Sequence, residues 1–459
     1  MSGVKYTFRA TSDPFRAIEF QDPAMTAVPE AHPKTKPLLQ RPAVMRLLIL
    51  ALLAEVGYAV LNISTMPVYL QFDRGFGASV TGLVVAAFLL SEAVFKSPMG
   101  ALADRVGRKT MVVLGPSLTI FTALATLVVP FDWGTNEVLA LIGLRLVDGL
   151  GAAMLWPAMF ALMSDSVEDH ERQQAMSLLN MCYLLGVALA LPVGGIVNDL
   201  FGRFLADFSG ARSPSLYLAA LLFAGVSLTA FLRIASDREH HKALATEEGS
   251  SLRELWMAAR GIPEYLLLAV VTFMGIGFPM TIIKVFAEEQ FRMSESKFGA
   301  LSFPAVVAVA LLSVPMAKIG ERMGRARAVH YGLGLCSLGL ALVALGAFVP
   351  ALRVPWPFAV GGLFVGFGFL LAIPSWMASV SDIDPRKRGV HLGAIMTAQG
   401  VGAILGAPLG AVAYEKLQPL GRMLGLGVDF GRYSPFVGCA ACVAIGWAIS
   451  VRILRDPAV

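Results

Sequence analysis

The sequence predicts an all-α polytopic membrane protein with twelve transmembrane helices in two pseudo-symmetric halves of six. Three observations predict this class: the composition, the spacing of the apolar blocks and an internal repeat. Of the 459 residues, 56% are hydrophobic and only 15% are charged, whereas soluble domains carry about 25% charged residues. The excess of apolar side chains must therefore face lipid.

The apolar residues are gathered in long blocks, most of which reach the roughly 20 residues that span a hydrocarbon core. We predict spans at approximately 47–70, 80–102, 110–129, 138–163, 175–197, 216–234, 265–286, 298–319, 328–350, 355–380, 390–413 and 436–454. This pattern predicts two six-helix bundles, at 44–234 and 264–454, joined by a cytosolic linker at 235–263. Residues 1–43 are polar and lack the apolar core of a secretory signal, so we expect a disordered cytosolic tail there and a short tail at 455–459.

The Lys and Arg residues between the spans predict the orientation. Sixteen of them fall in the loops on one side and nine in the loops on the other. The richer side and both termini are therefore expected in the cytoplasm, as an even number of spans requires, and the protein is expected in the plasma (inner) membrane. This topology explains the net charge of +5, and we see no motif for nucleic-acid binding.

The cysteines and histidines predict neither a disulfide nor a metal site. All four cysteines lie inside apolar blocks, and the C-x-x-C spacing of Cys439 and Cys442 falls in a span of small residues, where it indicates packing. The six histidines lie in tails, loops or helix ends without a cluster of ligands. We predict no cofactor and no obligatory protein partner; the expected partners are the lipid bilayer, a small-molecule substrate and protons.

An internal repeat is the strongest organising signal. One constant shift in residue number aligns Ser79, Gly82, Pro98, Met99, Asp104, Arg105, Gly107 and Arg108 with Ser296, Gly299, Pro315, Met316, Glu321, Arg322, Gly324 and Arg325. The same shift aligns Gly149, Gly151, Pro157, Ser164 and Asp165 with Gly366, Gly368, Pro374, Ser381 and Asp382, and after a slip of one position Gly186, Pro192 and Gly194 align with Gly402, Pro408 and Gly410. A register kept over four helices predicts two parallel halves related by an axis along the membrane normal.

Two packed halves with a site between them allow alternating access. When one half rocks against the other, the site is exposed first to one side of the membrane and then to the other. The repeat therefore predicts a secondary transporter.

The loop after the second span is basic and rich in glycine, with Gly100, Asp104, Arg105, Gly107, Arg108 and Lys109. The loop after the eighth span repeats it in part, with Glu321, Arg322, Gly324 and Arg325. Both loops resemble motif A of the major facilitator superfamily. The residues themselves support a latch, because glycine permits a tight turn, the acidic residue can face the positive end of a helix, and the cations hold the loop at the cytoplasmic interface.

Two further stretches carry the same resemblance. Arg145-Leu-Val-Asp148-Gly149-Leu-Gly151 in the fourth span resembles motif B of proton-coupled members, with Asp148 in place of the usual glutamine. The fifth span resembles motif C of antiporters, with its proline displaced by one position and Ala190 in place of a glycine. The resemblance covers the chain after residue 43 and implies the fold of the superfamily.

Small residues and prolines in these spans predict close helix packing and hinges, because small side chains let helices approach and proline removes a backbone hydrogen bond where a helix must bend. The predicted packing and hinge positions are Gly149, Gly151, Gly186, Pro192, Gly194, Gly195, Gly402, Gly406, Pro408 and Gly410.

Charged residues within spans are costly and indicate function. Five of them lie in the first half, and Lys284 is expected close enough to the interface to extend its amine into the headgroups. Glu92 and Lys96 are four residues apart, and Arg145 and Asp148 are three apart. Each of these two pairs can therefore share one helix face and neutralise itself.

Glu55 has no such local partner, and an unpaired carboxylate in a narrow cavity suits a group that takes up and releases a proton. The stretch Glu55-x-Gly57-x4-Asn62-x4-Pro67 resembles the first span of drug/proton antiporters, in which the acidic residue binds proton and substrate. We therefore expect the proton and substrate site at Glu55, Asn62, Glu92, Arg145 and Asp148.

An apolar cavity with acidic residues suits lipophilic or cationic compounds, so proton-coupled efflux of such compounds is our leading hypothesis. Proton-coupled uptake or exchange of a small metabolite is the alternative, because a fold does not fix a function. A non-transporting receptor or scaffold is the third; it predicts a lost latch or no charges within the spans, whereas this sequence has both. We find no hydrolase, metalloprotease or nucleotide-binding motif and expect no enzyme.

Overall fold

The computed structural model describes residues 37–168, 171–209, 214–234, 260–381, 383, 388–423, 425 and 427–454. Residues 1–36 of the predicted N-terminal tail at 1–43, residues 235–259 of the predicted linker at 235–263 and the predicted C-terminal tail at 455–459 lie outside these residues.

The described chain forms twelve long helices and no strand. They are α1 Pro42–Asp73, α2 Ala78–Val106, α3 Arg108–Val128, α4 Thr135–Asp165, α5 Arg172–Ser209, α6 Ser215–Arg233, α7 in two segments, Pro263–Met280 and Ile283–Phe291, α8 Glu295–Met323, α9 Arg325–Ala344, α10 Trp356–Ser381, α11 Arg388–Met423 and α12 Val428–Ile453. All of them except α8 meet a criterion of length and hydropathy for crossing a membrane within the described part. Helix α8 has 29 residues, which at 1.5 Å per residue gives about 43 Å, more than the hydrocarbon core. The predicted fold class is confirmed.

Several helices extend beyond the predicted apolar blocks. Helix α1 begins at Pro42, because proline is favoured at the first helical position, where its missing N–H is not needed. Helices α5 and α11 continue about ten residues past their predicted ends, to Ser209 and Met423. Hydropathy marks the part of a helix that lies in the hydrocarbon, whereas the helix itself can continue into the interface.

Helix α1 is distorted in its second half. The stretches Val60–Thr65 and Tyr69–Asp73 are π-helical, and the three residues Met66–Val68 between them contain a proline. Proline cannot donate the backbone hydrogen bond of a regular helix, and π-helical turns occur frequently at functional sites. This distorted stretch carries Asn62 and Ser64, which make the contacts described below.

The two halves repeat at the level of single contacts. Gly107 and Gly324 immediately precede α3 and α9. Their backbone φ angles are 105° and 93°, in a region that favours glycine. The Arg108 guanidinium donates to the Ala161 carbonyl at 3.2 Å, and Arg325 donates to the Ala378 carbonyl at 3.4 Å. The shift in residue number that aligns the two halves of the sequence takes Arg108 to Arg325 and takes Ala161 to Ala378. The same hydrogen bond is therefore made in both halves, which confirms the predicted repeat.

Close glycine contacts repeat as well. A Cβ atom added to Gly115 would lie 2.5 Å from the Gly151 carbonyl oxygen, and one added to Gly332 would lie 2.5 Å from the Gly368 carbonyl oxygen. The pairs α3–α4 and α9–α10 therefore pack backbone against backbone at equivalent positions.

The halves meet along two helix pairs, α2 with α11 and α5 with α8. One buried apolar cluster lies within the first six helices and a second within the last six. We call the end of the molecule with the α2–α3 and α8–α9 loops the basic end, and the end with the α1–α2 loop the opposite end. The second segment of α7 contacts the Met66–Val68 stretch of α1 towards the opposite end.

Candidate functional site

A buried ion pair lies in the middle of the first half. Arg145 and Asp148 of α4 are 1% and 0% exposed, and the Arg145 guanidinium lies 2.9 Å from Asp148 Oδ2. Their spacing of three residues puts both side chains on one face of the helix. The structure thus shows the pairing within α4 that the sequence predicted.

Polar side chains from α1 and α3 complete this pair. The Thr122 hydroxyl donates to Asp148 Oδ1 at 3.3 Å, and the Asn62 amide lies 3.5 Å from Asp148 Oδ2. Arg145 donates to the Thr126 hydroxyl at 3.4 Å. A buried ion pair is tolerated only when such hydrogen bonds satisfy its remaining donors and acceptors. The threonines of α3 are residues that the sequence reading missed, although their spacing of four places both on one face.

Glu55 is buried apart from this pair. Its side chain is 5% exposed, and within the described residues no hydrogen bond or ion pair of its carboxylate is seen. The groups that interact with it electrostatically include Glu92, Lys96 and Tyr183. Gly186 of α5 lies directly against it, because a Cβ atom added there would be 2.6 Å from the Glu55 Cβ. The glycine therefore permits the close approach of α5 to the carboxylate.

Glu92 and Lys96 form the second predicted pair, on α2. Lys96 Nζ lies 2.9 Å from Glu92 Oε1, and both side chains are partly exposed. The Lys96 amine offsets only part of the repulsion that Glu92 exerts on Glu55. The structure therefore brings Glu55 near Glu92, while Asn62 joins Arg145 and Asp148.

The motif A loop is anchored by Arg108. Its guanidinium forms an ion pair with Asp165 at the end of α4, and the Lys109 amine lies 5.5 Å from the centre of the Phe231 ring. A Cβ atom added to Gly100 would lie 3.4 Å from the Pro157 Cβ atom, in ordinary van der Waals contact. The Arg105 side chain is exposed. In the second loop Arg322 is exposed. The side chains of Asp104 and Glu321 lie outside the described part, and the role of the loop as a latch stays a prediction.

The predicted packing glycines lie at helix contacts. Gly149 faces Phe88 and Ser91 of α2, and Gly194 faces Ser64 of α1. The predicted glycines of α11 pack against the backbone of α7; they are Gly402, Gly406 and Gly410. Gly195 is buried, and Pro192 and Pro408 lie inside α5 and α11. The contacts support the packing role, whereas hinge motion stays a prediction.

The expectation that Lys284 reaches the interface is wrong. Its side chain is 4% exposed, and its amine donates to the Ser64 carbonyl at 3.0 Å and to the Ser64 hydroxyl at 2.7 Å. The helix break after Met280 starts a second segment of α7 that turns Lys284 towards α1. The nearby Pro279 was a signal of this break. Lys284 therefore joins the two halves within the protein.

The described residues contain no group of three or more His, Cys, Asp or Glu side chains that could hold a metal ion. The charged groups at the site are carboxylates, a guanidinium and amines, which can bind protons or charged ligands.

The comparisons with known proteins agree on one family. A family profile described as Major Facilitator Superfamily matches residues 47–407 and 265–458. The chain is 26% identical over 384 residues to Multidrug resistance protein 2 of Bacillus subtilis, covering 80% of this chain and 89% of that protein. It is 30% identical over 162 residues to the Quinolone resistance protein NorA of Staphylococcus aureus, covering 35% of this chain and only 40% of that protein. The crystal structure of a mutant of the nucleoside transporter NupG superposes with a TM-score of 0.69 at 12% identity, covering 90% of this chain and all of NupG. At this identity the likeness to NupG shows the fold alone.

Proposed function

The chain belongs to the major facilitator superfamily of membrane transporters, and within that family we propose that it exports small lipophilic or cationic compounds in exchange for protons. The observation that carries this proposal is the buried carboxylate of Glu55, which forms no ion pair with a basic side chain in the described part. The second acidic candidate, Asp148, is already neutralised by Arg145. Glu55 is therefore the group that a proton or a cationic ligand can neutralise.

The surroundings of Glu55 suit a lipophilic cation. Tyr183 is 38% exposed, and the charge of the buried Glu55 carboxylate acts on its phenol group. The centre of its ring lies 5.3 Å from that of the Trp156 ring. Aromatic faces attract cations, and ligand sites combine apolar walls with few polar groups. An accessible ring beside an unpaired carboxylate supports competition between proton and cation for one site.

Exchange follows if the two ligands exclude each other. A cation bound at Glu55 favours the ionised carboxylate, so binding expels its proton. A proton arriving from the other side then displaces the cation. The similarity to Multidrug resistance protein 2 supports efflux as the direction.

The orientation belongs to the same proposal. The excess of Lys and Arg at the basic end supports a cytoplasmic position of this end and of both termini in the plasma (inner) membrane. In that orientation the motif A loop lies in the cytoplasm, where Arg108 and Asp165 hold its shape.

Proton release from the detergent-solubilised full chain tests the proposal. Weakly buffered protein is mixed with a panel of lipophilic cations and neutral drugs, and Glu55→Gln is compared with Glu264→Gln, which removes an exposed carboxylate at the first turn of α7. We expect cations to release protons from wild type and from Glu264→Gln but not from Glu55→Gln. Release that persists in Glu55→Gln would reject Glu55 as the site, and no release with any compound would reject proton-coupled efflux.

A further inference from the structure

Two carboxylates join the halves at the opposite end in the same way. Glu415 of α11 accepts a hydrogen bond from the Ser79 backbone N–H at 2.9 Å, in the first turn of α2. Asp199 of α5 accepts one from the Ser296 backbone N–H at 3.1 Å, in the first turn of α8, and another from the Ser296 hydroxyl. Each carboxylate thus binds the first turn of a helix in the other half.

The two contacts are related by the internal repeat. The shift that aligns α2 with α8 carries Ser79 onto Ser296. The shift that aligns α5 with α11, which is one position shorter, carries Asp199 onto Glu415. Asp199 of the first half therefore binds a helix of the second half, and Glu415 of the second half binds a helix of the first. The pseudo-two-fold axis relates the two contacts.

Both helices lack a cap of their own. The residues preceding them, Gly77 and Ser294, make no side-chain hydrogen bond to a backbone N–H of the first turn. The first N–H groups of a helix have no partner within it and carry partial positive charge, which favours a carboxylate. A Cβ atom added to Gly77 would lie 2.8 Å from Glu415 Oε2, so glycine leaves the space that this carboxylate occupies.

We propose that Asp199 and Glu415 are paired caps across the halves that hold the opposite end closed, and that both contacts break together when this end opens. The proposal rests on alternating access, which is part of the proposed function. Opening separates α2 from α11 and α5 from α8, so each helix start loses its carboxylate and must be hydrated instead. The caps therefore stabilise the state in which the opposite end is closed.

The neighbouring charges are compatible with this role. Lys416 lies 2.9 Å from Glu415 but is largely exposed, so it competes weakly with the helix start for the carboxylate. The bond from Lys284 to Ser64 is a third contact between the halves towards the same end. Because the carboxylate contacts occur in a symmetry-related pair, they act on both sides of the axis.

Distances between spin labels test the caps without measuring transport. Labels are placed at Asn136 and Ala351, two exposed positions at the opposite end of the two halves, in a chain whose four native cysteines are replaced by alanine. The variants are Glu415→Gln, Asp199→Asn and both together. The matched control is Asp132→Asn, which removes an exposed carboxylate at the same end with a backbone φ of 60° that asparagine tolerates.

We expect each single variant to raise the ratio of long to short label–label distances by about two- to fivefold. This is the change in equilibrium constant that follows from losing one favourable charge at a helix N-terminus. The double variant should exceed either single one, and Asp132→Asn should match the unsubstituted reference. Distance distributions in both single variants that equal the reference would overturn the proposal, whether or not the double variant folds. The measurement uses no substrate and no proton gradient. If the proposal of proton-coupled efflux is wrong, the label distances can still show the effect of the caps, so the failure of one proposal is distinguishable from the failure of the other.

Discussion

Replacing Asp148 with asparagine should destabilise the protein far more than removing a carboxylate from a partly exposed ion pair. The substitution Asp148→Asn keeps the shape of the side chain, but one of the two oxygens that accept from Asn62 and Thr122 becomes an NH2 group, which cannot accept. It leaves the Arg145 guanidinium buried at 1% exposure without a counter-charge. The perturbation is therefore one uncompensated charge in the middle of the first half.

The burial of the pair sets the expected magnitude. Removing one partner of a buried ion pair costs about 3–5 kcal/mol of the free energy of unfolding, because the remaining charge stays desolvated. The double variant Arg145→Met with Asp148→Leu removes both charges and should recover most of this loss. An ion pair that solvent reaches contributes less, about 0–1 kcal/mol when it is fully exposed. The matched control is Asp429→Asn, whose partner Arg353 is 22% exposed and also donates to the Gly346 carbonyl.

Reversible unfolding in mixed micelles with increasing SDS measures these free energies. We expect the losses to follow the order Asp148→Asn, then the double variant, then Asp429→Asn. A loss for Asp148→Asn no larger than that for Asp429→Asn would refute the reasoning, because it would mean that Arg145 can reach water once its partner is neutral.

Two further substitutions probe contacts between helices. Gly186→Val should abolish transport and lower the free energy of unfolding by about 1–3 kcal/mol, because the added side chain overpacks against Glu55. The control Gly143→Val, with no atom within 4 Å of an added Cβ, should retain transport. Equal transport rates of the two variants in vesicles would contradict the predicted effect of the Gly186 contact. Lys284→Gln should slow transport several-fold because the bonds to Ser64 are weakened, whereas Lys297→Gln at an exposed position of α8 should not; a vesicle assay in which both behave alike would remove Lys284 from the mechanism.

The sequence predicts the fold well because its signals are local. Hydropathy locates a span without knowledge of its neighbours, and spacing within one helix is enough to pair Arg145 with Asp148 and Glu92 with Lys96. Contacts between helices are harder to predict, since they depend on which faces meet. Lys284 shows the difference, because its distance along the chain from a span end suggested the interface, whereas the break in α7 directs it to Ser64.

The glycine contacts between helices occur in both halves, whereas the buried acidic residues Glu55 and Asp148 occur in the first half alone of the described chain. The contacts of Gly115 with Gly151 recur in the second half, as do the carboxylate contacts to Ser79 and Ser296. The buried acidic groups do not recur, because the shift that relates the halves takes Glu55 to Thr272 and Asp148 to Val365. Rocking requires the same packing on both sides of the axis, whereas a proton needs only one site. A symmetric scaffold around an asymmetric charge set therefore supports placing proton binding in the first half and conformational control at the interface that both halves share.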